Sequence, residues 1–381
     1  MRVTITTLAL ATILFACKKE NLTTQSVDAL SATNAVSSFQ PTVAVLNNQL
    51  NYPWEILWGP DNYIWFTERE GHVNRMNPAT GEVTPVATIA DVATTTNYNG
   101  LMGMVLHPQF ETNPYVYVVY NYLAPSDTMF EKVVRFMYDG KTLVSPTILV
   151  DSIIGKKNGN YIHNGARLVI SPDMKLFIST ADANHRYLLP QNRNSLNGKI
   201  LRVNLDGSIP ADNPFGNAVW ATGMRNPQGL VYASNGKMYS SMHGQTTDDE
   251  IDIIERKGNY GWPYIEGYIN QDSIREVRFA NNYKTIEPIY AWTPTIAPSG
   301  MDYYDKDSIA EWKNSLLVAV LKDEKLLQLK LNASGTAVES ETAFLQHQYG
   351  RLRDVAIAPN GDVYVCTDNG NNADMIIRIS K

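Results

Sequence analysis

One pattern returns along the whole chain: two or three apolar residues, a turn of Pro or Ser with Asp, Asn or Gly, then an alternating apolar or aromatic run. That is the signature of a β-hairpin. It reads Ile56-Leu57-Trp58-Gly59-Pro60-Asp61 before Ile64-Trp65-Phe66, and Val169-Ile170-Ser171-Pro172-Asp173 before Leu176-Phe177-Ile178. It recurs as Val231-Tyr232-Ala233-Ser234-Asn235-Gly236 before Met238-Tyr239, and as Ile357-Ala358-Pro359-Asn360-Gly361 before Val363-Tyr364-Val365. A looser copy is Val105-Leu106-His107-Pro108 before Tyr115-Val116-Tyr117-Val118. Turn residues 60, 108, 172, 234 and 359 are spaced by 48, 64, 62 and 125, so the last gap holds one degenerate copy. Its expected place is Ala297-Pro298-Ser299-Gly300, ahead of the strand Leu316–Val320. Six units, each long enough for four short strands, predict an all-β, six-bladed β-propeller whose ring closure protects most strand edges. A β-sandwich does not generate a period near sixty residues. No long amphipathic helix is apparent.

Such a ring needs a large apolar core, and 44% hydrophobic residues in 381 supply it. A net charge of −6 opposes nucleic-acid binding, which requires clustered Lys and Arg to displace counterions, so no nucleic-acid partner is expected. The chain begins with Arg2 ahead of an apolar run, Leu8 to Ala16, too short to span a bilayer and shaped like an export signal. Leu14-Phe15-Ala16-Cys17 resembles a bacterial lipobox, in which the Cys becomes the acylated first residue. The alternative is an ordinary signal peptide with an incidental Cys. The expected organisation is a signal peptide over 1–16, a lipid-anchored Ser/Thr/Asn-rich tether over 17–45 and the propeller over 46–381. The protein is then an exported bacterial lipoprotein, periplasmic or outer-membrane anchored, touching the membrane through Cys17. Cys366 has no disulfide partner left and reads as a buried strand residue.

Polar residues unsuited to strands concentrate between the repeats, and in a propeller such loops converge at one mouth of the central channel. His163, within Tyr161–Arg167, is a candidate base because its unperturbed pKa lies near working pH; a structural loop role is the alternative. Asp248-Asp249-Glu250, beside a Gly-containing loop, offers hard oxygen ligands for Ca²⁺ or is a solvated acidic turn. Arg351 and Arg353 lie on one side of an extended segment, placed to grip one polyanion or to pair with nearby acids. Asn259-Tyr260-Gly261-Trp262-Pro263 offers aromatic faces that either pack a blade junction or meet a ligand. The chain lacks a Rossmann glycine fingerprint, a Walker-type lysine loop, and the His-Glu-x-x-His and Gly-x-Ser-x-Gly elements.

Together with Tyr52-Pro53-Trp54, Thr67-Glu68-Arg69-Glu70-Gly71, Asn99-Gly100-Leu101-Met102-Gly103, His163-Asn164-Gly165, Asn197-Gly198-Lys199, Arg225-Asn226-Pro227-Gln228-Gly229 and Arg351-Leu352-Arg353-Asp354, these segments make the chain resemble one family from about Tyr52 to Ser380. It is the soluble glucose/sorbosone (aldose sugar) dehydrogenases that use pyrroloquinoline quinone (PQQ). The resemblance implies a six-bladed propeller that oxidises an aldose at its anomeric carbon to a lactone, by hydride transfer to PQQ held by Ca²⁺, and passes electrons on to an acceptor. It implies that His163 is the base, oriented by Asp182, that Arg225 and Asn226 face the quinone carbonyls, and that Lys322, Arg351 and Arg353 hold the PQQ carboxylates. Backbone carbonyls of Gly244 and Gln245 would hold the Ca²⁺ at the cofactor. A second Ca²⁺ site would use Asp249, with main-chain oxygens of Glu266 and Tyr268 and the side chain of Asn270 as weaker candidates. Four positions depart from the family pattern. Tyr98 stands where glucose-oxidising members carry Gln or Glu, Ile162 where some carry Asp, Gln245 for a common Pro and Asn270 for an acid. A calcium-dependent lactonase propeller and a non-catalytic binding propeller are the rival readings. The first has no use for the Lys322, Arg351 and Arg353 set.

Overall fold

The computed structural model describes residues 39–94, 98–125, 128–155 and 163–381. Six four-stranded antiparallel sheets follow one another as blades of a β-propeller. Blades 1 to 5 each take four consecutive strands, and their innermost strands are Pro53–Trp58, Leu101–Leu106, Gly165–Ile170, Pro227–Tyr232 and Pro298–Tyr304. Blade 6 starts with Leu352–Ile357 and takes its outermost strand from the other end of the chain, where Thr42–Leu50 pairs with Asp374–Ser380. Each inner strand packs on those of its two neighbours, and blade 6 returns to blade 1. This closure leaves only short inner edges, which face the channel and are flanked by the neighbouring blades. Thr42 lies inside the stretch expected to be tether. The signal segment and the proposed anchor Cys17 lie outside the described residues.

Burial on both faces explains why the strands are so apolar. Six hydrophobic clusters occupy the six blade junctions. Because side chains alternate along a strand, Ile64 and Phe66 pack towards blade 6 while Trp65 packs towards blade 2. In blade 5, Leu316, Val318 and Val320 face blade 4 while Leu317 and Ala319 face blade 6. Cys366 sits fully buried at the junction of blades 6 and 1. Near the axis the blades approach so closely that a Cβ on Gly103 would collide with the Ala166 carbonyl, and one on Gly300 with the Asp354 carboxylate.

Two features differ from the sequence reading. The degenerate repeat turns at 305–314, after the inner strand Pro298–Tyr304, and not at 297–300. A 3-10 turn, Ala310–Trp312, lengthens that connection and buries Trp312, which hides the hairpin signal. A ten-residue helix, Ile274–Tyr283, also lies between strands of blade 4. It is capped by Ser273 and buries none of its residues fully, with Phe279 stacked on the Tyr264 ring at 4.6 Å.

Lys199 ties down the connection that follows the second strand of blade 3, Lys175–Thr180. Its fully buried ammonium donates to the carbonyls of Leu189 and Pro190, each at 2.8 Å, and of Asn197 at 2.6 Å. Burial pushes that ammonium down to about 7, and the three carbonyl acceptors oppose the shift. Lys199→Met leaves these carbonyls without a donor, and should cost about 2–4 kcal/mol in denaturant unfolding. An unchanged midpoint would show that the connection does not depend on this cation.

Candidate active site

Every inner strand starts with an irregularity. Register breaks fall at Pro53/Ile56, Leu101/Met104, Gly165/Leu168, Pro227/Gly229, Pro298/Met301 and Leu352/Asp354. Bulges re-aim side chains and end regular pairing, so six strand starts turn polar groups into the same end of the channel. The ends of second strands return there too, bringing Arg69, Asp182, His243 and Asp368. Between them lies a cavity of about 540 Å³, lined among others by Trp54, Arg69, Tyr98, His163, Arg225, Asn226, His243, Gly244, Gln245, Arg351 and Arg353. Its floor rests on Trp54 and on the buried Arg167, which lies over the Trp54 ring at 4.1 Å and pairs with Glu55 and Asp354, both at 2.8 Å.

One wall is built for proton transfer. His163 is held in the left-handed region at φ 65°, with Gly165 and Ala166 at 74° and 67°, a turn that costs energy at the non-glycine positions. Its Nδ1 lies 2.8 Å from Asp182 Oδ1, and its side chain keeps 14% exposure. The Asp182 carboxylate also accepts the Asn184 N–H at 2.8 Å and the Trp262 indole N–H at 2.9 Å. Burial alone would raise this carboxyl, but hydrogen bonds from His163, Asn184 and Trp262 outweigh it and hold the group below the usual carboxylate range. An ionised Asp182 only accepts, so His163 carries a proton on Nδ1, and the neutral ring has its lone pair on Nε2. Arg225 donates to the His243 carbonyl at 2.9 Å and leaves its buried Nε without a partner. Asn226 accepts from Gly165 N at 3.2 Å and Gln228 Nε2 at 3.1 Å. Its amide nitrogen stands 3.5 Å from His243 Nδ1. Burial, with the Arg225 and Arg353 charges, pushes His243 down to about 3, so its ring is neutral and gives its Nε2 proton to the Pro298 carbonyl at 2.9 Å.

The opposite wall is cationic. Arg353 bonds the Asp368 carboxylate and reaches Gln228 Oε1 at 3.1 Å, while Arg351 meets the same carboxylate at 3.6 Å. Arg69 lines this wall too, with Asp368 and Arg353 as the foremost charges acting on it. The buried Nε atoms of Arg69 and Arg353 have no hydrogen-bond partner. Arginines that share one carboxylate and keep unspent donors suit a ligand with several carboxylates. A third surface is the loop of Gly244 and Gln245. Both line the cavity, and among the described residues neither carbonyl oxygen accepts a hydrogen bond, as a hard cation requires of its ligands.

The structure gathers most, not all, of the expected residues. His163, Arg225, Asn226, Gly244, Gln245, Arg351 and Arg353 line one cavity, with Asp182 directly behind His163. Lys322 does not line it: this exposed side chain donates to the carbonyl of Thr295, a lining residue, at 2.6 Å. In the second expected Ca²⁺ set, the main-chain oxygens of Glu266 and Tyr268 accept no hydrogen bond among the described residues. Asp249 spends its carboxylate on the N–H groups of Gly244 at 2.8 Å and of Ile296 and Ala297, each at 2.6 Å, joining two cavity loops. Glu266 faces Arg186 at 3.7 Å, Asn270 Oδ1 accepts from Asp272 N at 3.0 Å, and Tyr268 is half exposed. Among the described residues no three His, Cys, Asp or Glu side chains converge as metal ligands. Arg69, His243 and Asp368 were not singled out as site residues from the sequence. Their shared signal is position, directly after a second strand.

Residues 50–378 match the model of the family described as Glucose / Sorbosone dehydrogenase. The chain is similar to a quinoprotein glucose dehydrogenase B of Acinetobacter calcoaceticus, 32% identical over 86% of this chain and 85% of that protein. It is also similar to an aldose sugar dehydrogenase of Escherichia coli, 29% identical over 86% of this chain and 90% of the relative. Among solved structures, the PQQ-bound aldose sugar dehydrogenase of Streptomyces coelicolor superposes with a TM-score of 0.76 at 30% identity, covering 90% of this chain and 98% of its own.

Proposed function

The chain belongs to the glucose/sorbosone dehydrogenase family, and we propose that it oxidises an aldose at the anomeric carbon to the lactone, with PQQ held through Ca²⁺ and an external acceptor taking the electrons. The observation that carries this reading is the opposition, across one cavity, of an Asp-oriented histidine and an arginine wall with unspent donors. PQQ, when bound, supplies the quinone that receives the hydride and is reduced to the quinol.

The chain's own residues do the rest. His163 takes the anomeric hydroxyl proton on Nε2 as the C–H bond breaks, and Asp182 stabilises the imidazolium that results. Trp262 and Asn184 keep Asp182 ionised and fixed, so the base is oriented before substrate arrives. Arg225, on the same wall as the base, places a fixed positive charge where negative charge grows. Arg351 and Arg353 would hold carboxylates, Asn226 would donate its amide hydrogens, and the Gly244 and Gln245 carbonyls would hold the cation. The loop joining Asp249 to Ile296 and Ala297 keeps those carbonyls turned inward. A hydrolytic metal site has no need of the arginine wall.

Adding PQQ and Ca²⁺ to the purified protein should give a bound-quinone absorbance that an aldose bleaches. Prolonged chelation should abolish the bleaching and lower the melting temperature, because a ligand of the folded state stabilises it by mass action. Bound quinone that no aldose reduces would refute the dehydrogenase reading, and full activity in excess chelator would refute the calcium part.

A further inference from the structure

Arg69 follows the second strand of blade 1, Ile64–Glu68, and lies in the cavity wall with only 5% of its surface exposed. Among the described residues it makes no ion pair within 4 Å, although burial lowers its pKa and a partner would oppose that. Its Nε is buried without a hydrogen-bond partner. Its guanidinium carbon lies 3.6 Å from the centroid of the Tyr52 ring. That ring is itself held at some cost. Tyr52 adopts φ 52°, a left-handed conformation that is strained for a residue with a bulky side chain. Asp374 enforces it, accepting Tyr52 N at 2.8 Å while also accepting Asn369 N at 2.5 Å, Gly370 N at 2.9 Å and the Thr367 hydroxyl at 2.8 Å. A Cβ on Gly370 would strike the Tyr52 ring. The seam between blades 6 and 1 thus immobilises an aromatic plane whose visible load is one guanidinium.

We infer that Arg69 is a further arm of the carboxylate clamp, binding a PQQ carboxylate alongside Arg351 and Arg353, with Tyr52 fixing the plane of its guanidinium. The inference rests on the PQQ reading above. Charge supports it: Arg69, Arg351 and Arg353 face a single shared carboxylate, Asp368, so this wall keeps an excess of positive charge for a polyanion. Position supports it too. The charges acting on Arg69 are those of the cationic wall, whereas Arg225 feels Asp182, Glu266 and Asp249 on the other side. Stacking leaves a guanidinium's edge donors available, which is how an arginine is preset for a planar carboxylate.

The test is a titration of the purified apoprotein with PQQ, followed by quenching of tryptophan fluorescence, since Trp54 lines the cavity. Calorimetry with benzene-1,3,5-tricarboxylate probes the same clamp without a quinone. Arg69→Met should weaken both ligands about 10- to 100-fold, the range for losing a charge-assisted pair. Arg69→Lys should recover part of the PQQ affinity, and Tyr52→Leu should lose an intermediate amount. Arg351→Ala is the reference. If Arg351→Ala weakens PQQ while Arg69→Met and Arg69→Lys both bind within twofold of the native protein, Arg69 is structural and the inference is overturned with the PQQ reading intact. If the Arg351 variant is also unchanged, the PQQ reading falls with it. Should Arg69→Met not fold, Arg69→Lys and Tyr52→Leu decide: native affinity in both overturns the inference.

Discussion

Replacing His163 by Gln is expected to slow sugar reduction of the PQQ-loaded protein by about 10²–10⁴-fold, with PQQ affinity little changed. The asymmetry follows from geometry. His163 touches the cavity through Nε2, while its other nitrogen is committed to Asp182 at 2.8 Å. Gln can keep a hydrogen bond to Asp182 and roughly the same volume, but it has no basic nitrogen to take a proton. The cationic wall across the cavity is untouched by the change, so cofactor capture should persist. Stopped-flow reduction by several aldoses, native against variant and across pH, reads the effect directly. A variant that reduces its quinone at the native rate would make His163 a structural loop residue and require another group to take the proton.

The repeat made the fold legible because a propeller blade must bury both faces, so hairpin after hairpin carries the same apolar signature. Blade 5 nearly escaped, since its turn contains a packed 3-10 segment in place of a short Pro or Gly turn. The helix Ile274–Tyr283 escaped because it spans only ten residues and buries none of them in the core. At the site, residues preceding inner strands were legible: glycines and prolines flank His163, Arg225 and Ala297, marking abrupt turns. Those following second strands were not, because a chain leaving a regular strand needs no special turn chemistry. Arg69, His243 and Asp368 therefore look like ordinary polar residues until the ring brings them together. Arg351 and Arg353 meet one nearby acid, Asp368, the second of the two readings their spacing allowed, and not by simple alternation. Arg353 is the extra residue of a bulge between Leu352 and Asp354, and it is the bulge that aims it at Asp368. Asp249 has a role that spacing could not show: its carboxylate accepts three backbone N–H groups and so shapes the loop.

Asp182→Asn should cost most of what losing the base costs, roughly 10²–10³-fold in the same half-reaction. Every partner of Asp182 is a donor: His163 Nδ1 and Asn184 N meet one oxygen, and Trp262 Nε1 meets the other. An amide placed there must point its NH₂ at one of these donors, whichever way it flips. If the NH₂ faces His163, the ring is driven to the tautomer with its proton on Nε2, and the lone pair is lost from the cavity. If it faces Trp262, a buried indole N–H loses its acceptor and the neutral amide no longer stabilises the imidazolium. The carboxylate is also held below its usual range, so it stays ionised through neutral pH and its contribution to stability disappears only as pH falls through that lowered value. The acid side of the activity profile in the native enzyme therefore should not follow Asp182. Because Asp182 acts through His163, their losses should not add: the double variant His163→Gln/Asp182→Asn is expected to be no slower than His163→Gln alone. A double variant slower by the product of the two single effects would show that Asp182 touches the reaction by a route that does not pass through His163.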